Sequence, residues 1–460
     1  MAVSQEPAEL ASPAQTVRHL TPVLGLAGAV LMTVSCITPT SSLFIIVPEV
    51  LASQGSGAVI ALLVGVVVSV AVGACYAELG TRTPSSGGEY AMITHALGRT
   101  LGWLTFTLTA ALLVVIPPII ALGTADYLSS IVTVDRAAAG AAVMLLATFT
   151  AILDMRSNAF VTAVFLAIET VAATVVAYLG FTHAERGVGS LFEPHALDES
   201  GALSPYTLGV LMAGLAVAMF VVNGFGTASY LAEEIIEPRK NVARAVFLSL
   251  FISAVIIVVP TAAVIMGAGS LTDLGQLGFP DFVEGWAGPD VAAAVSVGIA
   301  IAIFNAVIVM MVQNGRVIYA TGRDRTWPEP VNRALTRMHP RFNTPYVATL
   351  VVGGAGALLA YLVDIEALLG VTSVIVSVVF ILLAVGALTV RRTPHAGWHM
   401  PLWPLAPVVV IGALGYALLG SAAVDLVITG VIVVVALAYE FLYLRPRRDE
   451  RFLVDALEER

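Results

Sequence analysis

One carboxylate stands apart in this sequence. Glu169 sits in Phe165-Leu-Ala-Ile-Glu-Thr-Val-Ala172, midway along an apolar stretch, with about a dozen uncharged residues on either side. A carboxylate at membrane depth is expensive and marks a functional position by default. Burial disfavours its ionised form, so such a group can take up and release a proton near neutral pH. The competing reading is a carboxyl that stays protonated, or bonds to backbone, and only packs helices. Two polar runs could hold a solute. Ser35-Cys-Ile-Thr-Pro-Thr-Ser-Ser42 is Ser, Thr, Pro or Cys at every position but Ile37. Thr38, Thr40, Ser41 and Ser42 supply hydroxyls, and Pro39 makes an unbroken helix costly. The run Met219–Tyr230 gathers Asn223, Gly224, Phe225, Gly226, Thr227 and Ser229 midway, and glycine is a poor helix former. Taken singly, each run is as well explained by a proline kink or by close helix packing. Asn305 and Ser296, and Thr372, Ser373 and Ser377, also interrupt apolar segments. They serve either as lining or as interhelical glue.

Groups at such depth need a framework that crosses a bilayer, and the composition supplies one. Of 460 residues, 58% are hydrophobic and 12% charged, with a mean hydropathy of +0.93. A soluble globular chain is roughly 45–50% apolar and 25% charged. The composition is that of an all-α polytopic membrane protein surrounded by lipid. Cys36 and Cys75 both fall in apolar segments, so no disulfide framework is indicated. Residues 1–20 lack the basic start and apolar stretch of a signal peptide and are expected to form a disordered cytoplasmic tail. The histidines fall in loops or tails. Gly87-Gly88 lacks the Gly-Lys-Ser/Thr ending and the preceding strand of a phosphate loop. No catalytic residue, metal, cofactor or nucleic-acid partner is expected, and the chain is not expected to be an enzyme.

Twelve apolar segments of spanning length can be laid out, at 23–51, 57–80, 100–126, 137–154, 158–182, 207–231, 243–268, 290–320, 346–363, 366–390, 402–420 and 424–444. With the N-terminus in the cytoplasm, all of the 22 Lys and Arg but Arg136 and Arg186 fall on the inner side. The outer loops are acidic, with Glu193, Asp198 and Glu199 in one and Asp273, Asp281, Glu284 and Asp290 in another. A missed or invented segment would collapse this bias partway along the chain. It holds to the end, which predicts twelve helices with both termini cytoplasmic, in a cytoplasmic (inner) membrane. Asp126 and Glu440, near helix ends, are expected to be solvated.

The first segment is 29 residues long, roughly 43 Å as one helix against a bilayer core of about 30 Å. Its surplus lies at Ser35–Ser42, where a break in the helix would absorb it. The second polar run falls in segment six. Segments one and six each open a group of five, and an odd group makes the two repeats inverted. Paired interruptions at matching places in inverted halves are the best sequence pointer to a transport site. The expected layout is therefore residues 21–182 as the first repeat, 183–206 as an external loop, 207–390 as the second repeat, 391–444 as two added helices and 445–460 as a cytoplasmic tail.

Three inner loops carry long motifs: Tyr76-Ala-Glu-Leu-Gly-Thr-Arg-Thr-Pro-Ser-Ser-Gly-Gly-Glu-Tyr90, Ala232-Glu-Glu-Ile-Ile-Glu-Pro-Arg-Lys-Asn-Val-Ala-Arg-Ala245, and Gly315-Arg-Val-Ile-Tyr-Ala-Thr-Gly-Arg-Asp-Arg-Thr-Trp-Pro328 followed by His339-Pro-Arg-Phe-Asn-Thr-Pro345. In wording, order and placement they resemble the amino acid–polyamine–organocation family of permeases, over about residues 22–440. The resemblance implies a LeuT-type fold, a 5+5 inverted repeat plus two C-terminal helices with helices one and six broken. Glu78, Arg82, Glu89, Glu233, Glu234, Arg239, Arg316, Arg323 and Asp324 are expected to form a charge network tying inner helix ends together.

The chain departs from the family pattern in three places. Where relatives carry a Gly-Ser-Gly-Ile-Phe-like run that offers backbone N–H groups to a substrate carboxylate, this chain has Thr40-Ser41-Ser42-Leu43-Phe44. Where they often have Gly-Phe-Glu it has Gly224-Phe225-Gly226. Where many carry a lysine in helix five, taken to replace a sodium ion, it has Glu169. The expectation is a proton-coupled permease for an amino acid, with sodium as the alternative ion. The broken helices would grip the ends of the solute, Phe225 would cover it, Gly224 and Gly226 would line the site, and Glu169 would couple transport to protons. Asn305, Thr372 and Ser373 stand as further lining. A polyamine or other organic amine is the rival substrate, and a receptor or channel on the same fold the rival class.

Overall fold

The computed structural model describes residues 24–82, 88–128, 135–153, 155–198, 201–232, 235–342, 344–391 and 398–452. The expected N-terminal tail, Glu233, Glu234 and the last residues of the chain lie outside them. The described chain is almost wholly helical. The first apolar segment is divided into α1 (Leu26–Ile37), α2 (Pro39–Ile45) and α3 (Val47–Gln54). Thr38, at φ 48° and ψ 56°, separates the first two. Its N–H still closes α1 on the Val34 carbonyl, and its own carbonyl accepts from Ser42 N to start α2. Pro39 fills the first position of α2, where a missing N–H costs nothing. The surplus length is thus absorbed by a change of direction at one residue.

After α4 (Ala58–Arg82), α5 (Gly88–Leu97), α6 (Arg99–Leu128), α7 (Arg136–Ala151) and α8 (Met155–Thr182) comes a small hairpin of β1 (His195–Leu197) and β2 (Leu203–Pro205). The second half holds α9 (Leu208–Phe220), α10 (Thr227–Tyr230), α11 (Pro238–Gly267), α12 (Phe279–Ala287), α13 (Pro289–Arg323), α14 (Glu329–Leu335), α15 (Tyr346–Leu362) and α16 (Ile365–Val390). Two further helices follow, α17 (Leu405–Leu419) and α18 (Ala423–Tyr439). Among the described residues, seven stretches are long and apolar enough to cross a membrane: Leu26–Ile45, Val47–Arg82, Arg99–Thr124, Pro238–Gly267, Pro289–Arg323, Ile365–Val390 and Ala423–Arg447. Shorter apolar helices cover Arg136–Ala151, Ala167–Thr182, Leu208–Phe220, Tyr346–Leu362 and Leu405–Leu419. An apolar helix therefore lies on each of the twelve expected segments. α6 runs on through Pro117-Pro118.

Much of the outer surface is oily. On α18 and just beyond it, Val434 is 66% and Leu442 78% exposed. A contiguous surface of this kind would be a liability in water and is what lipid requires. The chain is a multi-pass membrane protein. Inside, α11 packs along α4 and α8, α13 along α6 and α8, α15 along α7, and α1 lies against α11. One expectation fails here. Glu440 is 1% exposed instead of solvated, because the chain stays helical through Glu440–Leu444 and packs that turn inward. The side chain of Asp126 lies outside the described ones.

Candidate transport site

The two polar runs meet. In the second, α9 stops at Phe220, a series of turns carries the chain through 221–226, and α10 resumes at Thr227. Gly224 holds φ at +114°, and a Cβ built on it would come within 3.0 Å of Ile37 Cα. Only a glycine combines that dihedral with so close a backbone approach. The Cys36 thiol donates to Gln313 Oε1 at 3.2 Å and so joins α1 to α13, and α1 also packs against α10. This contact was not legible in the sequence, since neither residue type is distinctive inside an apolar helix.

Around this junction lie polar atoms that the protein does not satisfy. Thr38, Thr40, Ser41 and Ser42 are all at most 4% exposed. The hydroxyls of Thr38, Thr40 and Ser41 have no hydrogen-bond partner. Buried polar groups are nearly always paired, and leaving one unpaired costs about 1–3 kcal/mol. Three unpaired hydroxyls thus fall within four residues, an arrangement that a polar guest would satisfy.

Glu169 and Asn305, singled out separately in the sequence, are brought together. Asn305 Nδ2 donates to Glu169 Oε1 at 3.4 Å, between α13 and α8. Glu169 is 2% exposed, and the Asn305 Oδ1 is unpaired. Both α8 and α13 also pack against α2. Thr372 and Ser373 on α16 are buried with unpaired hydroxyls, but α16 packs along α4, α6 and α9, away from the first break. Asn223 is half-buried, and Gly226 lies against Tyr76, whose ring a Cβ would meet at 2.6 Å.

Aromatic side chains pack on two sides of the junction. On one side Phe44 packs edge-on against Tyr127 and Phe279, with centroids 6.1 and 5.2 Å away, and the Tyr127 hydroxyl donates to the Phe44 carbonyl. On the other, Phe225 is fully buried and meets Tyr76 at 5.7 Å and Phe380 at 6.1 Å. Beyond it Glu78, with no exposure, accepts from Arg82 at 2.9 Å and Arg391 at 3.4 Å. Its other oxygen accepts from Met400 N. Part of the expected charge network is therefore present, and Arg391 is an addition to it. Glu89 belongs elsewhere: it accepts a hydrogen bond from Tyr76. Arg323 pairs with its neighbour Asp324.

The sequence model of the amino acid permease family matches residues 24–442. The chain belongs to that family. This permease is 28% identical over 247 residues to the branched-chain amino acid permease BcaP of Bacillus subtilis (strain 168), a match spanning 52% of each chain. It is 27% identical over 414 residues, 89% of each chain, to an uncharacterized transporter of Mycobacterium tuberculosis (strain ATCC 25618 / H37Rv). It is 24% identical over 384 residues to the Asc-type amino acid transporter 1 of Mus musculus, covering 79% of this chain and 69% of that protein. The family and these relatives are transporters, not enzymes.

Proposed function

We propose that this permease is a secondary active transporter that moves an amino acid across the cytoplasmic membrane by alternating access, coupled to protons. The observation that carries the reading is the meeting of two interrupted helices, Gly224 against Ile37, beside the unpaired hydroxyls of Thr38, Thr40 and Ser41. A zwitterion would satisfy those hydroxyls with its carboxylate, and interrupted helices at membrane depth are suited to such a task. Relatives named as permeases for branched-chain amino acids and as an Asc-type amino acid transporter support this solute class. Twelve spanning helices in a 5+5 inverted repeat plus two, with both termini cytoplasmic, are the matching architecture. Aromatic packing on two sides of the junction fits an occluded intermediate, with Phe225 as part of the inner seal.

Glu169 is the coupling group in this reading. It is the buried carboxyl bonded to Asn305 between α8 and α13, two helices that both pack against α2, and a carboxyl so placed is suited to gain and lose a proton. Proteoliposomes holding the purified protein, given radiolabelled leucine, serine or lysine with and without an imposed proton gradient, test the proposal. Concentrative uptake that needs the gradient supports it. A gradient-independent leak, or accumulation driven only by sodium, sinks the proton-coupled form.

A further inference from the structure

Beneath the second break lies a polar pair that the transport reading does not use. Glu89, on the short helix α5 ahead of the third spanning segment, is 9% exposed. Its Oε1 accepts from the Tyr76 hydroxyl at 2.5 Å, while its Oε2 has no partner. Tyr76 in turn sets its ring edge-on to Phe225 and to Phe380 and sits against Gly226. Glu89 therefore holds, through one hydrogen bond, the ring on which the helix-six break rests. Beside this contact Ser229 is fully buried with an unpaired hydroxyl, next to Gly80 of α4 and Met92 of α5.

We propose that Glu89 and Tyr76 form a latch on the cytoplasmic gate, and that protonation of Glu89 keeps the gate shut. The proposal rests on the alternating-access reading. A buried carboxyl with one oxygen unpaired is cheaper neutral than ionised. Burial pushes the Glu89 carboxyl up to about 7, with the Tyr76 hydrogen bond pulling the other way. Opening the gate would admit water to Oε2 and return the acid to the ordinary carboxylate range, the proton passing to and from cytoplasmic water. The raised value belongs to the closed form, so closure is favoured at low pH and weakens as pH rises through about 7. Among the described residues, the titratable groups facing this pocket are Tyr76 and Cys75 of α4 and Tyr230 of α10 over Gly88, while Tyr90 of α5 turns its ring to Phe106 and Phe452. On α6, Arg99 turns to the carbonyls of Arg448 and Arg451. Arg323 of α13 acts on Tyr90 and not on Glu89. No cation is therefore among the groups that hold Glu89 ionised.

The test needs no solute. In full-length protein reconstituted in liposomes, with Cys36→Ala and Cys75→Ala, a Ser229→Cys substitution places one thiol behind the latch. Its rate of modification by N-ethylmaleimide is followed with pH, with and without Glu89→Gln. The ratio of the two rates, which cancels the thiol's own titration, is expected to rise roughly tenfold between about pH 6 and 8. Tyr76→Phe, by removing the bond that favours the ionised acid, should move that rise to higher pH. A flat ratio overturns the latch, and so does a thiol that never reacts in any chain. If Glu89→Gln fails to fold, an unmoved profile in Tyr76→Phe overturns it instead. Absent uptake with the pH profile intact would sink the transport reading and leave the latch standing.

Discussion

At the scale of single residues, the site depends on two groups with opposite demands. In the proposed transport cycle Glu169 changes protonation, whereas Gly224 has no freedom to change at all. Glu169→Gln keeps the shape and the bond to Asn305 but fixes a neutral side chain. It should abolish accumulation driven by a proton gradient and leave exchange of internal for external amino acid close to normal. Retained accumulation in counterflow-competent protein would remove Glu169 from the coupling path. Gly224→Ala asks a side chain to adopt φ +114° with Ile37 Cα only 3.0 Å from its Cβ. It should cost about 1–3 kcal/mol of stability, seen as a lower melting temperature, and should lose uptake. An alanine variant as stable as the parent would show that the two breaks do not press on each other. Glu169 and the polar runs were legible in the sequence because charge and hydroxyls are conspicuous among aliphatic side chains. Cys36, Gln313 and Tyr76 were not, because what matters about them is which neighbour they meet across the bundle.

At the scale of elements, the C-terminal end of α4 is tied to the end of α16 by the buried carboxylate of Glu78 and by Arg82, which also donates to the Val390 carbonyl. Glu78 accepts from both Arg82 and Arg391, but Arg82 is 8% exposed and Arg391 26%. Solvent screens the more exposed partner, so the two arginines should be unequal. Removing one member of a buried pair typically costs about 3–5 kcal/mol, and Arg82→Met should approach that figure in thermal denaturation, with Arg391→Met well short of it. The reverse order would mean that Glu78 is held chiefly from α16. Helix positions were readable from apolar runs, and the chain interruption from Pro39 and the clustered glycines. The break at Thr38 is sharper than the eight-residue polar run suggested, since Pro39 makes a good first residue for a new helix as well as a poor continuation of an old one. Glu440 was misjudged because nearness to a helix end says nothing about where a helical turn packs.

At the scale of the whole molecule, sidedness is the property on which everything else depends. The basic residues cluster on one face by sequence, so cysteines at Glu284 and Arg333, both exposed, should differ. A membrane-impermeant maleimide on intact cells should label Glu284→Cys and spare Arg333→Cys. The opposite result would invert the topology. That expectation rests on charge asymmetry along the sequence alone, whereas the pairing of distant segments was not legible there, because lipid-facing and partner-facing surfaces are equally apolar. The rim of the bundle beside the β1–β2 hairpin shows what such distant pairing entails. Ser56 accepts from His195 N, the Tyr206 hydroxyl donates to Gln54 Oε1, and Gln54 Nε2 donates to the Val210 carbonyl, a partner 156 residues further on. A ribosome adds about 5–20 residues per second, so Gln54 waits roughly 8 to 30 seconds after its own synthesis before that carbonyl exists. The first half of the protein is therefore threaded into the membrane with that rim unfinished, and the second half completes it.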